Sequence, residues 1–156
     1  APGAAAGNPY AFSLVVTGFV AASRDGVATT LGRNGSDLSA TVFGRLLHAS
    51  SVAIWTDVDG VLSADPRRVP GAWVLPQVSY SEAMELAYFG ANVVHPKAMG
   101  PLWEVGTPIY IKNTFNPDAP GTRIYKRDRD RARGESPPPR RLNNLPSTRV
   151  SFSPSS

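Results

Sequence analysis

The sequence predicts an α/β layered fold with a mainly parallel sheet. Two observations carry this expectation. Strand-like and helix-like patterns alternate from Ser13 to Ile124 in the order β-α-β-α-α-β. The strand-like runs are also separated by helix-length segments rather than hairpin turns, which favours parallel pairing. A body over 13–125 is therefore expected, followed by a second region over 126–156.

The elements are taken in chain order. Ser13 to Val20 (SLVVTGFV) is a short β-rich run, and Arg24-Asp25-Gly26 supplies a turn. From Ser36 to Ser50, Leu38, Val42 and Leu46 recur every four residues beside Phe43 and Leu47. This is a helical stripe with Gly35 or Ser36 as its N-cap. Ser51 to Trp55 (SVAIW) reads as a buried strand. Ser79-Tyr80-Ser81-Glu82 fits a capping box that opens a helix carrying Ala83, Met84, Leu86, Ala87 and Phe89. Pro96 suits the first turn of another helix, and Gly106 its end. Thr107 to Lys112 (TPIYIK) returns to strand. These strand signals are fewer than a doubly wound nucleotide-binding sheet carries, so the chain is expected to begin inside a larger domain.

Composition narrows the function classes. The 156 residues are 42% hydrophobic, with 14 Gly and 15 Pro, as in one turn-rich globular domain. No apolar run reaches the roughly 20 residues of a membrane span, and Ala1 to Gly7 lack the pattern of a signal peptide. With no cysteine, disulfides, thiolate metal sites and thiol nucleophiles are excluded. The net charge is +4, but residues 126–156 carry eight Lys/Arg against three Asp/Glu, while residues 1–125 carry eight against nine. The basic character belongs to the C-terminal segment, so the body has no basic face for nucleic acid. That segment is rich in Arg, Pro and Ser without hydrophobic periodicity and is expected to be disordered.

Three motifs carry chemistry. The stretch from Thr29 to Asp37 (TTLGRNGSD) runs into a helix start, where free backbone N–H groups favour anions. Arg33 adds a guanidinium fork for a carboxylate. Asp37 fits both a functional charge and a favourable charge at the helix N-terminus. No Gly-Lys-Ser/Thr follows, so this is not a Walker loop. The second motif, Trp55 to Arg67 (WTDVDGVLSADPR), begins where a strand ends, the edge at which open α/β sheets bind ligands. Calcium is excluded because Arg68 occupies the position of an EF-hand's closing Glu. Asp59-Gly60 also fits a plain turn. The third, Tyr88 to Pro96 (YFGANVVHP), offers His95, whose place before Pro96 suits a cap or a buried role better than catalysis. His48, at a helix end, suits the negative end of the dipole. Two His without Cys argue against zinc, and no Ser-His-Asp set is evident.

In this order and spacing, LGRNGSD, WTDVDGVLSADPR, YFGANVVHP and PIYIKNTFNPDAPGT resemble the amino-acid kinase superfamily. Within it they resemble aspartate kinases, most of all the kinase portion of those fused to a homoserine dehydrogenase. The resemblance spans Val15 to Ile124 and covers the C-terminal, nucleotide-binding part of the kinase domain. It implies an α-β-α sandwich, incomplete here. It implies ATP with Mg²⁺ and L-aspartate as ligands, no nucleic acid or membrane, and a homo-oligomeric full-length parent in the cytoplasm or plastid stroma. Arg33 and Ser36 would bind substrate, and Asp37 would organise the charged groups around the transferring phosphoryl. Thr56 and Asp57 would line the adenosine pocket, Arg67 would approach the phosphates, and Leu62 and Asn92 occupy nucleotide-contacting positions. No dedicated metal ligand is assigned. The Lys-Phe-Gly-Gly motif of the family's N-terminal lobe is absent, as are the regulatory and dehydrogenase segments. The isolated chain is therefore expected to lack turnover. Another amino-acid kinase, or a non-catalytic nucleotide-binding or interaction module, is the alternative.

Overall fold

The computed structural model describes residues 13–88, 94–127 and 149–152. β1 (Val20–Ala22) and β2 (Ala28–Thr30) form an antiparallel hairpin that leads into α1 (Gly35–Leu46). The main sheet takes β3 (Ser51–Thr56), β4 (Gln77–Ser79), β5 (Ile109–Asn113), β6 (Thr122–Tyr125) and β7 (Arg149–Phe152). α2 (Tyr80–Tyr88) and α3 (Pro96–Val105) lie between β4 and β5 in the chain. Strand order is β4-β6-β5-β3-β7, parallel at every pairing except β5 with β6. The α/β class and the mainly parallel sheet are as the sequence predicts.

Register explains where the core sits. Val52 pairs with Ile109 and Ile54 with Ile111, while Ile109 pairs with Ile124, so these side chains share one face. All are buried, together with Ala40 of α1, Tyr80 and Ala83 of α2, and Ala98, Met99 and Leu102 of α3. The helices form one layer over that face. α3 touches both of the others, through the Arg45–Glu104 ion pair and through Tyr80 stacked on Trp103 with centroids 6.4 Å apart. The opposite face carries Trp55, Tyr110, Lys112 and Tyr125, which are half-buried, and exposed Arg123. Lys112 Nζ sits 6.0 Å from the Trp55 ring centre, and Arg123 5.3 Å from that of Tyr125. The second helical layer of the expected sandwich has no counterpart among the described residues.

Local chemistry sets the helix ends. At α2, Glu82 accepts the Ser79 N–H at 2.7 Å while its own N–H donates to Ser79 Oγ at 3.2 Å, the expected capping box. The Ser79 N–H and the Ser79 hydroxyl, which donates to the same carboxylate oxygen at 2.8 Å, hold the Glu82 carboxyl below its ordinary pKa, with Arg127 beside it adding to the effect. At α3, Pro96 opens the helix and Gly106 (φ 75°) closes it. His95 is the N-cap, its Nδ1 accepting the Lys97 N–H at 3.2 Å.

Four expectations change. The strand expected over Ser13 to Val20 is confined to Val20–Ala22, because Phe19 turns to φ 70° and interrupts the extended run. The cap of α1 is Asn34 in the left-handed region, not Gly35 or Ser36. That helix stops at Leu46 rather than near Ser50, since His48 turns left-handed (φ 50°) and the Ala49 N–H returns to the Gly44 carbonyl. Within the segment expected to be disordered, Arg149–Phe152 pairs in parallel with Ser51–Ile54, on the side of β3 away from β5. No helix among the described residues is long and apolar enough to cross a membrane.

Gly44 is a point where α1 passes close over the sheet. A Cβ there would stand 2.4 Å from Val52 Cγ2. Gly→Ala inside a helix ordinarily gains up to ~1 kcal/mol, but overpacking a core costs ~1–3 kcal/mol. Overpacking wins here. Gly44→Ala is expected to lower stability by ~1 kcal/mol in urea unfolding. Adding Val52→Ala should then cost less than it does in the wild-type background, a coupling that shows the clash directly.

Candidate nucleotide-binding cleft

β3 delivers Trp55 and Thr56 to the C-terminal edge of the sheet, and the chain then turns through Asp57–Gly60. Beside this turn stands the start of α1, and Val94 approaches from just before α3. Together they enclose a cleft of about 240 Å³ lined by Asn34, Asp37, Thr56, Val58, Gly60 and Val94, with Ile54 and Ile111 among its apolar walls. A pocket at the carboxyl ends of parallel strands, beside a helix start, is where this class of fold takes its ligands.

Each part of the cleft has a local cause. Asn34 gives α1 no side-chain cap, so the first turn relies on backbone contacts such as Gly35 N–H to the Gly32 carbonyl at 3.0 Å. Ser39 anchors that turn from below. Its Oγ donates to the Gly35 carbonyl at 2.9 Å and accepts the Phe19 N–H at 2.9 Å, tying the hairpin base to the helix. Asp37, in the first helical turn, is partly withdrawn from water, and this desolvation raises its carboxyl pKa. Thr56 Oγ1 donates to Asp57 Oδ1 at 3.1 Å.

The predicted residues separate into three groups. Asp37 and Thr56 line the cleft, and exposed Asp57 is held at its rim by Thr56. Arg33, Ser36, Leu62 and Arg67 do not line it. Arg33 is exposed just ahead of Asn34, and Ser36 is half-buried next to Asp37. Leu62 bridges to Val74 at the neck of an excursion in which Ser63 N–H donates to the Trp73 carbonyl at 2.9 Å. Arg67 is exposed within that excursion, where its N–H donates to Asp65 Oδ1 at 2.9 Å. Asn92 lies outside the described residues.

Sequence reasoning missed the role of Asn34 as lining residue, and it missed Asn113 and Asn116. Asp59 Oδ1 accepts from Asn113 Nδ2 at 2.7 Å and from Asn116 Nδ2 at 3.1 Å. The signal for this was an Asp-rich turn after one strand and an Asn-Thr-Phe-Asn run after another, readable together only once those strands are known to be neighbours. Among the described residues no group of three or more His, Cys, Asp or Glu is placed to hold a metal ion.

Comparison with known proteins agrees with this architecture. Residues 11–113 match the Amino acid kinase family. The chain is 52% identical over 112 residues to the chloroplastic bifunctional aspartokinase/homoserine dehydrogenase 1 of Zea mays, covering 72% of this chain and 12% of that protein. It is 54% identical over 111 residues to the bifunctional aspartokinase/homoserine dehydrogenase of Haemophilus influenzae, covering 71% and 14%. Among solved structures it resembles E. coli aspartokinase III in complex with aspartate and ADP, with TM-score 0.66 and 40% identity over 70% of this chain and 25% of that one. The aspartate kinase of Clostridium acetobutylicum gives TM-score 0.66 and 39% identity, over 76% and 26%. The chain thus spans about an eighth of these bifunctional relatives and a quarter of these solved kinases. With the family match over residues 11–113 and aspartokinases as its relatives, this chain belongs to the amino acid kinase family.

Proposed function

We propose that this chain is the nucleotide-holding part of an aspartate kinase. In the whole enzyme the β-carboxylate oxygen of L-aspartate attacks the γ-phosphorus of ATP. The bond from that phosphorus to the β,γ-bridging oxygen breaks, leaving 4-phospho-L-aspartate and ADP. The product is an acyl phosphate, an activated carboxyl group suited to the first step towards lysine, threonine and methionine. The observation that carries this reading is the cleft itself, in which Asp37 and Thr56 meet at the strand ends of a chain about half identical to aspartokinases.

Phosphoryl transfer needs positioning and charge neutralisation more than a protein nucleophile. Thr56 offers a hydroxyl and Asp57 a carboxylate at the mouth of the cleft, fitting the hydroxyls and ring nitrogens of an adenosine. Arg33, at the exposed approach to α1, would grip a substrate carboxylate with Ser36 beside it. Arg67 would swing from its excursion towards phosphates, and Asn92 and Leu62 complete the proposed nucleotide contacts. Asp37, partly desolvated, would hold cationic groups in place around the phosphoryl group. Mg²⁺ would arrive with ATP and neutralise phosphate charge. Among the described residues Asp37 is the one carboxylate lining the cleft and no three-ligand group is present, which fits an ion carried mainly by phosphates. No Lys-Phe-Gly-Gly occurs in this chain, so it is expected to bind nucleotide without turning over aspartate. Relatives from maize and carrot are named chloroplastic, in line with a plastid setting for a plant parent.

Titration calorimetry with ATP and Mg²⁺ tests the assignment. Asp57→Ala is expected to weaken binding at least about tenfold, equivalent to ~1.4 kcal/mol. Unchanged affinity in that variant would remove Asp57 from the nucleotide site and favour a different binding or interaction module.

Asp37 provides a second test, through stability. Its folded pKa is raised, so the folded state holds this proton to higher pH than the unfolded state does. Stability contributed by the protonated form is present below the ordinary aspartate range and is lost as pH rises through the folded value. Asp37→Asn is therefore expected to be more stable than wild type at pH 7, by less than ~1 kcal/mol because partial exposure screens the charge. The difference should vanish in acid below the ordinary aspartate pKa, as read from thermal midpoints across pH.

A further inference from the structure

Asp59 sits two residues from Asp57, the nearest of the proposed nucleotide contacts, and is explained by none of them. A simple Asp-Gly turn would have its carboxylate bonded to nearby backbone. Instead Oδ1 accepts two amide donors from residues 54 and 57 positions away, Asn113 at 2.7 Å and Asn116 at 3.1 Å. Asn113 is the last residue of β5, 8% exposed, and its amide is used at both ends, since Oδ1 accepts the Phe115 N–H at 2.9 Å. The parallel register sets Asn113 directly beside Thr56, and Thr114 N–H donates to the Thr56 carbonyl at 2.8 Å. The loops leaving β3 and β5 are thus stitched together where they leave the sheet.

The far end of the same turn is fastened independently. Val61 N–H donates to Thr122 Oγ1 at 2.8 Å, and that hydroxyl donates onward to the Leu75 carbonyl at 2.6 Å. Gly60 passes so close that a Cβ would stand 2.5 Å from Thr122 Oγ1, with φ at 148°. The segment Asp57–Gly60 is accordingly held at Thr56, at Asp59 and at Val61. Four of the residues from Thr56 to Val61, namely Thr56, Val58, Gly60 and Val61, are wall residues of the cleft. A loop bound to two neighbouring strands presents its polar groups without having to order them when ligand arrives.

We propose that Asp59 is a positioning residue for the nucleotide site, acting through Asn113 and Asn116 to hold the Asp57–Gly60 turn so that Thr56 and Asp57 are set for the nucleotide before it binds. This rests on the nucleotide reading above. A carboxylate suits the task because one oxygen takes both amides in charge-assisted bonds. An asparagine oxygen at the same place is able to take both as well, more weakly.

Amide hydrogen exchange and ATP·Mg²⁺ calorimetry on the 156-residue chain test this together. Asp59→Ala is expected to speed exchange across Asp57–Gly60 at least about tenfold while α2 keeps its protection, and to weaken ATP binding about tenfold. Asp59→Asn should retain most of both. Adding Asn113→Ala to Asp59→Ala should produce little further loss, because the tie is already cut. If Asp59→Ala fails to fold, Asn116→Ala removes one donor from an exposed residue and should give the same pair of effects in smaller measure. Wild-type exchange in these variants would overturn the tie. A loosened turn with unchanged ATP affinity would overturn its role in positioning. Absence of ATP binding by the wild-type chain rejects the nucleotide reading and the purpose given to Asp59, while the exchange data still decide whether the tie exists.

Discussion

In-register parallel pairing between Ser51–Thr56 and Ile109–Asn113 is the constraint on which both the core and the cleft depend. It places Val52 and Ile54 beside Ile109 and Ile111, and the helices have one continuous apolar face to cover. It also brings the strands to their C-terminal ends at the same height, with Thr56 against Asn113. The Asp57–Gly60 turn and the Asn113–Asn116 segment that supports it therefore leave the sheet side by side. A slip of one residue would send the apolar set to the opposite face and separate the turn from its amide partners.

Against that ordered frame, the cleft keeps features that do not favour folding. Asp37 is partly desolvated, and Asn34 adopts φ 59° at an uncapped helix start. A helix start optimised for stability alone would carry a capping side chain and a solvated acid. Here the same positions border a cavity, while the buried apolar face of the sheet and the capping box at Ser79 stabilise the frame around it. Local rules give way most often at functional sites, in line with the reading proposed for this cleft.

How much of this was legible in the sequence depended on the range of the signal. Ser79 with Glu82, and Pro96 with Gly106, are local capping signals: the first helix begins at Tyr80 as its box requires, with Phe89 outside the described residues, and the second begins and ends as signalled. SVAIW and TPIYIK carry enough apolar residues to read as strands. The three-residue strands at Val20, Ala28 and Gln77 are too short to show a period, and their pairing depends on partners elsewhere. RVSF was invisible as a strand because its surroundings are polar and its partner lies far away. At the cleft, the place of Thr56 and Asp57 was readable because one closes a strand and the other follows it. Asp59 was equally compatible with a turn, and only tertiary proximity to Asn113 distinguishes the two. Arg33, Ser36, Leu62 and Arg67 lie near the cleft in sequence yet do not line it, since side-chain direction is not encoded in motif spacing.

The strand at Arg149–Phe152 has a further consequence, in the order of events during synthesis. β3 leaves the ribosome about a hundred residues before the strand that completes its outer side. During that interval the backbone donors and acceptors that Arg149–Phe152 will satisfy await that strand, in a segment whose alternate residues are apolar. Long-range pairings of this kind close late, and an open edge is a template for another chain. Arg149–Phe152 thus bear on how safely the nascent chain passes through a crowded environment, independently of anything the finished cleft binds.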